Sequence, residues 1–485
     1  MVYQGGINVK RSFMLVITLL LLVAFPIIVA ADERDEDNIN KQKVLQEYDE
    51  AHLIALAAAT CAGTYVPDGN ASEYSYLGEY GFVIQPYTVN DGNREANFTF
   101  AYNKTITQGK KLFVLAFRGS ASLKDWEVNF ATSKVAYGGT NPEEFAEIAQ
   151  EVKDTSVPAV HRGFNEYVNA AFCLKPEVSG AGINKDMATI LRDDPDAVLL
   201  LTGHSLGGAA ATLFAERLVS MGIPKEKVPV ITFGAPAIGN SAFAMAYGDK
   251  IDLLRIKTSH DPIPGGLQTF VGGFKQFGKE KVFNLSSRFA DYQHPVSYYF
   301  DLAVKNYYEA YDRAIEAGIL KEQPDKKITN KEPLVAIVVG APRNIQSRPF
   351  TPNIKRFILD EYRTVLPNYI VLETNADLYD STKYDLGQIA EDARTVGADY
   401  ILILEIDSKR LAQEDKWYLS MNQAMFNIDG GLVSLSSYGR RLTYDQGVMQ
   451  CTISNLEKCR NELKEKFDWI HTKIEQKQGA NIEDN

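Results

Sequence analysis

The sequence is poor in the residues that bind metals and in the charge pattern that binds nucleic acid. Of 485 residues only four are cysteine and six histidine. No two cysteines stand as C-x-x-C, so a zinc ribbon or finger has no support, and neither a metal nor a cofactor is expected. Lys and Arg form no dense block and the formal net charge is −11, which excludes nucleic acid and strongly anionic membrane surfaces as expected partners. Low-complexity tracts and internal repeats are missing too, and 45% apolar with 23% charged residues is ordinary globular usage. The four cysteines, Cys61, Cys173, Cys451 and Cys459, allow three pairings among which spacing does not choose. Cys61, within the alanine-rich residues 52–62, reads as a buried, inert thiol.

Length is what the chain does have. At 485 residues it exceeds one hydrophobic core, so two folded units are expected. An apolar run over residues 13–31 follows Lys10 and Arg11 and precedes an acidic stretch at 32–37. With Pro26 inside it and the small residues Val29 and Ala31 at its end, it reads as a signal peptide over residues 1–31, cleaved before Asp32, and so as export to the periplasm, the envelope or the medium. An uncleaved anchor is the alternative, since the run approaches the length that spans a bilayer.

Residues 321–333, charged and holding two prolines, divide the rest into a unit over 32–320 and a second over 334–476, with a polar tail at 477–485. In the first, short apolar runs at 111–117, 197–202, 228–233 and 253–257 alternate with helix-length segments at 164–172 and 209–219. Such alternation predicts an α/β fold with a mostly parallel central sheet. The consecutive apolar residues from Ala197 predict a central strand covered on both faces. In the second unit, strands at 334–339, 369–372 and 400–406 and a strand pair meeting at 429–431 are interspersed with helices starting at Thr351 and over 386–396 and 455–474. This is a smaller α/β sandwich.

The motif that carries chemistry is Gly203-His204-Ser205-Leu206-Gly207, between the buried strand and an alanine-rich helix. A nucleophilic hydroxyl needs a tight strained turn, and the flanking glycines let strand and helix approach. The backbone N–H of Leu206 then faces a developing oxyanion at the positive end of a helix dipole. In this architecture the acid and the histidine follow the serine. Of the histidines, His471 lies on the terminal helix of the second unit, which leaves His294 as the base. Asp261, past the end of a strand in His260-Asp261-Pro262-Ile263-Pro264, is the acid; an ordinary Asp-Pro turn is its bland alternative, and Asp291 is too close to His294 to be preferred. A second oxyanion donor is expected at Ser120, after the strand ending at Phe117. Leu123 and Trp126 then mark either a lid exposing apolar groups at an interface or a short core-packed helix.

At these residues the chain resembles the class 3, fungal-type lipase family of the α/β-hydrolase fold. The resemblance rests on Phe117-Arg118-Gly119-Ser120 with Asp125-Trp126, Val160-His161-Arg162-Gly163-Phe164, residues 202–208, Thr232-Phe233-Gly234-Ala235-Pro236 with Gly239-Asn240, and residues 260–264, in family order over about 48–320. It implies a secreted serine ester hydrolase acting on acylglycerols or phospholipids at a lipid–water interface. It also implies Ser205, Asp261 and His294 as triad, Ser120 and Leu206 as oxyanion hole, and the segment around Trp126 as lid. The stretch between Asp261 and His294 is more compact than the family pattern, and Gly265-Gly266 stands where bulkier residues are common, which leaves the acyl pocket open. Part of the second unit, around residues 393–402, is similar to envelope modules of the curli-secretion and TolB amino-terminal type. That similarity implies an envelope protein partner, with a generic stabilising sandwich as the alternative. The rival for the whole chain is a non-catalytic envelope-assembly protein with a retired hydrolase unit.

Overall fold

The computed structural model describes residues 33–66, 77, 81–91, 94–107, 110–120, 133–172, 186–285, 292–329, 332–340, 351–372, 386–411, 416–442 and 446–483. The segment read as a signal peptide, the segment containing Leu123 and Trp126, Cys173 and Asp291 all lie outside them.

The chain enters through helix α1 (Glu33–Gly63). Its alanine-rich residues 54–63 are buried throughout, since small side chains let the helix approach its neighbours closely. Strands β1 (Val83–Asp91), β2 (Arg94–Thr107) and β3 (Lys110–Phe117) follow as an antiparallel meander. A small antiparallel pair, β4 (Lys134–Ala136) and β5 (Ala159–His161), leads into α2 (Arg162–Ala171). Next come β6 (Ala197–His204), α3 (Leu206–Ser220), β7 (Val230–Phe233), β8 (Leu253–Thr258) and β9 (Lys279–Phe283). The sheet order is β1-β2-β3-β6-β7-β8-β9, and every pairing from β3 to β9 is parallel. This is the α/β-hydrolase arrangement, with β6 central. Every residue of β6 is buried, Val198 and Leu200 against α1 and its neighbours, Leu199 and Leu201 against the core around α3.

Helix α4 (Val296–Glu316) closes the first unit and is the seat of the second. On one side it packs on α1, where the Tyr48 ring lies 5.8 Å from that of Tyr307 and 6.1 Å from that of Tyr311. On the other it meets the C-terminal unit: Tyr308 packs edge-on against Phe357, and Arg356 pairs with Asp312 and lies over the Tyr311 ring.

The second unit has strands β10 (Lys326–Lys327), β11 (Val335–Gly340), β12 (Tyr369–Val371), β13 (Tyr400–Leu411), β14 (Lys416–Asn427) and β15 (Leu432–Leu442), in the order β10-β12-β11-β13-β14-β15. Helices α5 (Thr351–Val365), α6 (Leu386–Thr395) and α7 (Val448–Glu483) belong to it. Val335, Ile337 and Val339 face the core shared with α4, α5 and α7, while Leu334, Ala336 and Val338 face α6. The two-residue alternation of a strand therefore yields a sheet covered on both faces rather than a pair of packed sheets. One apolar cluster runs from α1 through α4 into α5 and α7, so the two units share a core.

Two segments differ from their sequence reading. Residues 326–327, within the stretch read as linker, add an edge strand to the second sheet, and Asn368 holds the same stretch by bonds to Thr329 and Glu332. Helix α7 begins seven residues before the predicted 455 and runs to Glu483, into the stretch read as a polar tail. Its early start has a tertiary cause. Asp301, fully buried on α4, accepts the backbone N–H of Val448 at 2.6 Å and of Met449 at 2.9 Å. An anionic cap at the positive end of a helix stabilises that end, and here the cap comes from 147 residues away. Among the described residues no helix is long and apolar enough to cross a membrane.

Replacing Asp301 by Ala strands two buried amides and is expected to destabilise the protein by about 1–3 kcal/mol in urea denaturation. Asp301→Asn keeps one acceptor oxygen and should lose less. An unchanged midpoint for Asp301→Ala would contradict the cap.

Candidate active site

Strand β6 delivers Ser205 at φ 56°, ψ −127°, and Ser205 is the one non-glycine residue with positive φ among the described residues. Holding an L-residue there costs about 1–3 kcal/mol, which the surrounding packing must supply. Glycines make that packing possible. A Cβ on Gly203 would run into the backbone of Gly207, and one on Gly207 would run into the Phe117 carbonyl. Bulkier residues would push α3 off the sheet. Ser205 makes no side-chain capping bond to α3, so its hydroxyl is not consumed by the helix it precedes.

Past the end of β8, Asp261 has no exposed side-chain surface. Its Oδ1 accepts the Ile263 N–H at 2.8 Å, while Oδ2 meets His294 Nδ1 at 2.8 Å and accepts the Tyr299 hydroxyl at 2.5 Å. Tyr299, from the first turns of α4, in turn accepts the Thr258 N–H at 3.2 Å. Burial and the neighbouring Asp261 charge raise the Tyr299 pKa well above the ordinary phenol, which keeps it a donor. A carboxylate facing Nδ1 holds the proton on that nitrogen and leaves Nε2 free as a base. Gly234, at φ +58°, makes room for the group: a Cβ there would sit 2.6 Å from Asp261 Oδ2, 3.0 Å from the Tyr299 hydroxyl and 3.1 Å from His294 Nδ1.

The pair lies beside the serine turn. The His294 ring centroid is 4.6 Å from that of His204, the residue before Ser205, and His204 Nε2 is 2.7 Å from the His294 carbonyl oxygen. On the other flank, Gly119 packs against the elbow, where a Cβ would lie 3.2 Å from that of Ser205. This places Ser120 next to the turn, with Leu206 opening α3. The structure thus gathers Ser205, Asp261, His294, Ser120 and Leu206 into one region, while Leu123 and Trp126 lie outside the described residues. Two other histidines are engaged elsewhere. His161 Nδ1 accepts the Gly163 N–H at 3.1 Å, and His260 Nδ1 faces Gln293 Nε2 at 3.3 Å.

Tyr299, Tyr65, the bonding of His204 and the packing role of Gly234 are not legible in the sequence. A tyrosine-rich helical stretch after His294 was the one signal for Tyr299, and nothing local marks Tyr65. Chemically, an imidazole oriented by a buried carboxylate beside a strained serine can accept a hydroxyl proton, and the carboxylate stabilises the imidazolium that results.

Residues 114–268 match the family model described as Lipase (class 3). The chain is 33% identical over 138 residues to the putative lipase LIH1 of Saccharomyces cerevisiae, covering 28% of this chain and 39% of that protein. It is 28% identical over 232 residues to phospholipase A1-II 4 of Oryza sativa, covering 43% and 54%. With the secreted mono- and diacylglycerol lipase A of Penicillium camembertii it shares 27% over 151 residues, covering 31% and 41%. The chain spans about half the length, or less, of these curated relatives. Among solved structures, the triacylglyceride lipase of Rhizomucor miehei aligns over 54% of this chain and 84% of its own at 21% identity, with a TM-score of 0.37.

The strain at position 205 can be measured without any substrate. Ser205→Gly is expected to be more stable than Ser205→Ala by about 1 kcal/mol or more in urea denaturation, because glycine adopts φ 56° without the penalty a Cβ brings there. Equal stabilities would mean that the turn is unstrained.

Proposed function

We propose, from the match of residues 114–268 to the class 3 lipase model and from the geometry of the site, that this chain is a serine carboxylic-ester hydrolase acting on acylglycerol or phospholipid esters. Ser205 is the nucleophile, His294 the base, Asp261 the residue that orients and balances the imidazole, and the amides of Ser120 and Leu206 the oxyanion donors. The observation that carries the reading is the conjunction of a serine at φ 56° with a buried Asp261–His294 pair beside it.

In the first half-reaction the Ser205 hydroxyl gives its proton to His294 Nε2 as Oγ attacks the ester carbonyl. The oxyanion that forms is met by backbone N–H groups already in place, which need no reorganisation as charge develops. Collapse expels the alcohol, which takes the proton from His294, and an acyl-serine remains. Water then repeats the sequence, losing its proton to His294 and releasing the acid.

The substrate class is inferred from the relatives, among them a mono- and diacylglycerol lipase and a phospholipase A1. Leu123 and Trp126 are proposed to lie on a lid that meets the lipid–water interface. Export is proposed from the apolar run and acidic flank at residues 13–37, and three relatives, two of Penicillium and one of Fusarium solani, are secreted lipases. The unit over 334–476 is proposed as an accessory module open to an envelope protein partner; its core shared with α4 supports a role tied to the hydrolase.

Ser205→Ala is expected to lower turnover of a short-chain aryl ester by a factor on the order of 10³ or more with the fold intact. A fluorophosphonate probe should label the wild type and not the variant. Retained turnover, or labelling at another residue, would refute the assignment, and a wild type left unlabelled would favour the retired-hydrolase reading. Parallel rates on glycerides and phospholipids decide the head group.

A further inference from the structure

We propose that Tyr65 and His204 act as positioning residues, a hydrogen-bonded relay that locks the base-bearing loop and the oxyanion loop to the serine turn. The inference rests on the serine-esterase reading and goes beyond its triad. The Tyr65 hydroxyl, just after α1, is 2.7 Å from His204 Nδ1. On the other side of the same ring, Nε2 is 2.7 Å from the backbone carbonyl of His294.

A carbonyl oxygen only accepts, so His204 Nε2 must carry the proton, and the neutral ring then presents a bare Nδ1. Tyr65 must therefore donate to it. The phenol oxygen also packs closely against the backbone of Gly119. The direction of both bonds is thereby set: Tyr65 O–H to His204 Nδ1, and His204 Nε2–H to the His294 carbonyl. The relay requires a neutral imidazole, and burial with the adjacent His294 drives the His204 pKa well below its ordinary value. Gly119 is shaped to the relay, because a Cβ there would run into the Tyr65 hydroxyl and come within 2.6 Å of the His204 carbonyl oxygen. The Arg118 guanidinium lies 5.6 Å from the Tyr65 ring centroid and adds a cation–π contact.

The consequence is geometric. The relay touches the chain one residue before Ser120, one residue before Ser205, and at His294 itself. It meets His294 through the backbone carbonyl, so it sets where that loop sits and leaves the His294 side chain free to move its proton. Small displacements of groups that must meet a transition state cost rate more than binding.

The test is aryl-ester kinetics on the full-length protein, with active sites counted by fluorophosphonate labelling. Tyr65→Phe should lower kcat per labelled site about tenfold with KM within twofold of wild type. His204→Gln, whose amide can still donate to the His294 carbonyl, should keep more of kcat than His204→Ala. A purely structural role would reduce the labelled fraction and leave kcat per site unchanged. That outcome, or equal losses in the two His204 variants, overturns the relay while leaving the esterase reading intact. A wild type that neither turns over nor labels removes both.

Discussion

The Asp261 carboxylate is the contact on which most of the architecture converges. It is fully buried, and a charge in that position is tolerable only when its oxygens are occupied. Here the Ile263 amide, the His294 imidazole and the Tyr299 hydroxyl occupy them. Each of these donors comes from a different stretch of chain: the loop after β8, the loop before α4, and α4 itself. Two residues beyond Tyr299 on the same helix, Asp301 turns to the other unit and caps α7. One helix thus carries both the support of the proposed triad acid and the seat of the C-terminal unit. The two units are therefore not independent bodies on a tether, because their shared apolar core and the buried cap would both be lost if they separated.

The second constraint is close backbone approach. Positions 119, 203, 207 and 234 each lack room for a Cβ, and each lies where a loop or helix end is pressed against the serine turn or the acid–base pair. Strain at Ser205 is held by this packing, not by a local sequence preference, since a serine free to choose would avoid φ 56°. Rigid surroundings at such a site are what electrostatic stabilisation of a transition state requires.

Much of this was legible from one-dimensional pattern. The buried strand from Ala197, the glycine-flanked turn and the alanine-rich helix are signals that local chemistry generates, and they appear at 197–204, Ser205 and 206–220. Helix α1 and the β1–β2 meander were not read, because their burial is set by partners far along the chain. The start of α7 was placed seven residues late for the same reason: nothing near Val448 announces a cap that sits at Asp301.

By itself the sequence determined the mostly parallel sheet and the identity of the residues at the serine turn, because hydrophobic period and glycine placement act over a few residues at a time. Only the tertiary structure decided that Tyr299 supports Asp261, that Tyr65 and His204 bridge three loops, and that the C-terminal unit grows from α4. Those outcomes depend on hydrogen bonds between groups tens to more than a hundred residues apart. The partner of such a bond is chosen by the packing of whole helices and sheets, and no local pattern encodes it.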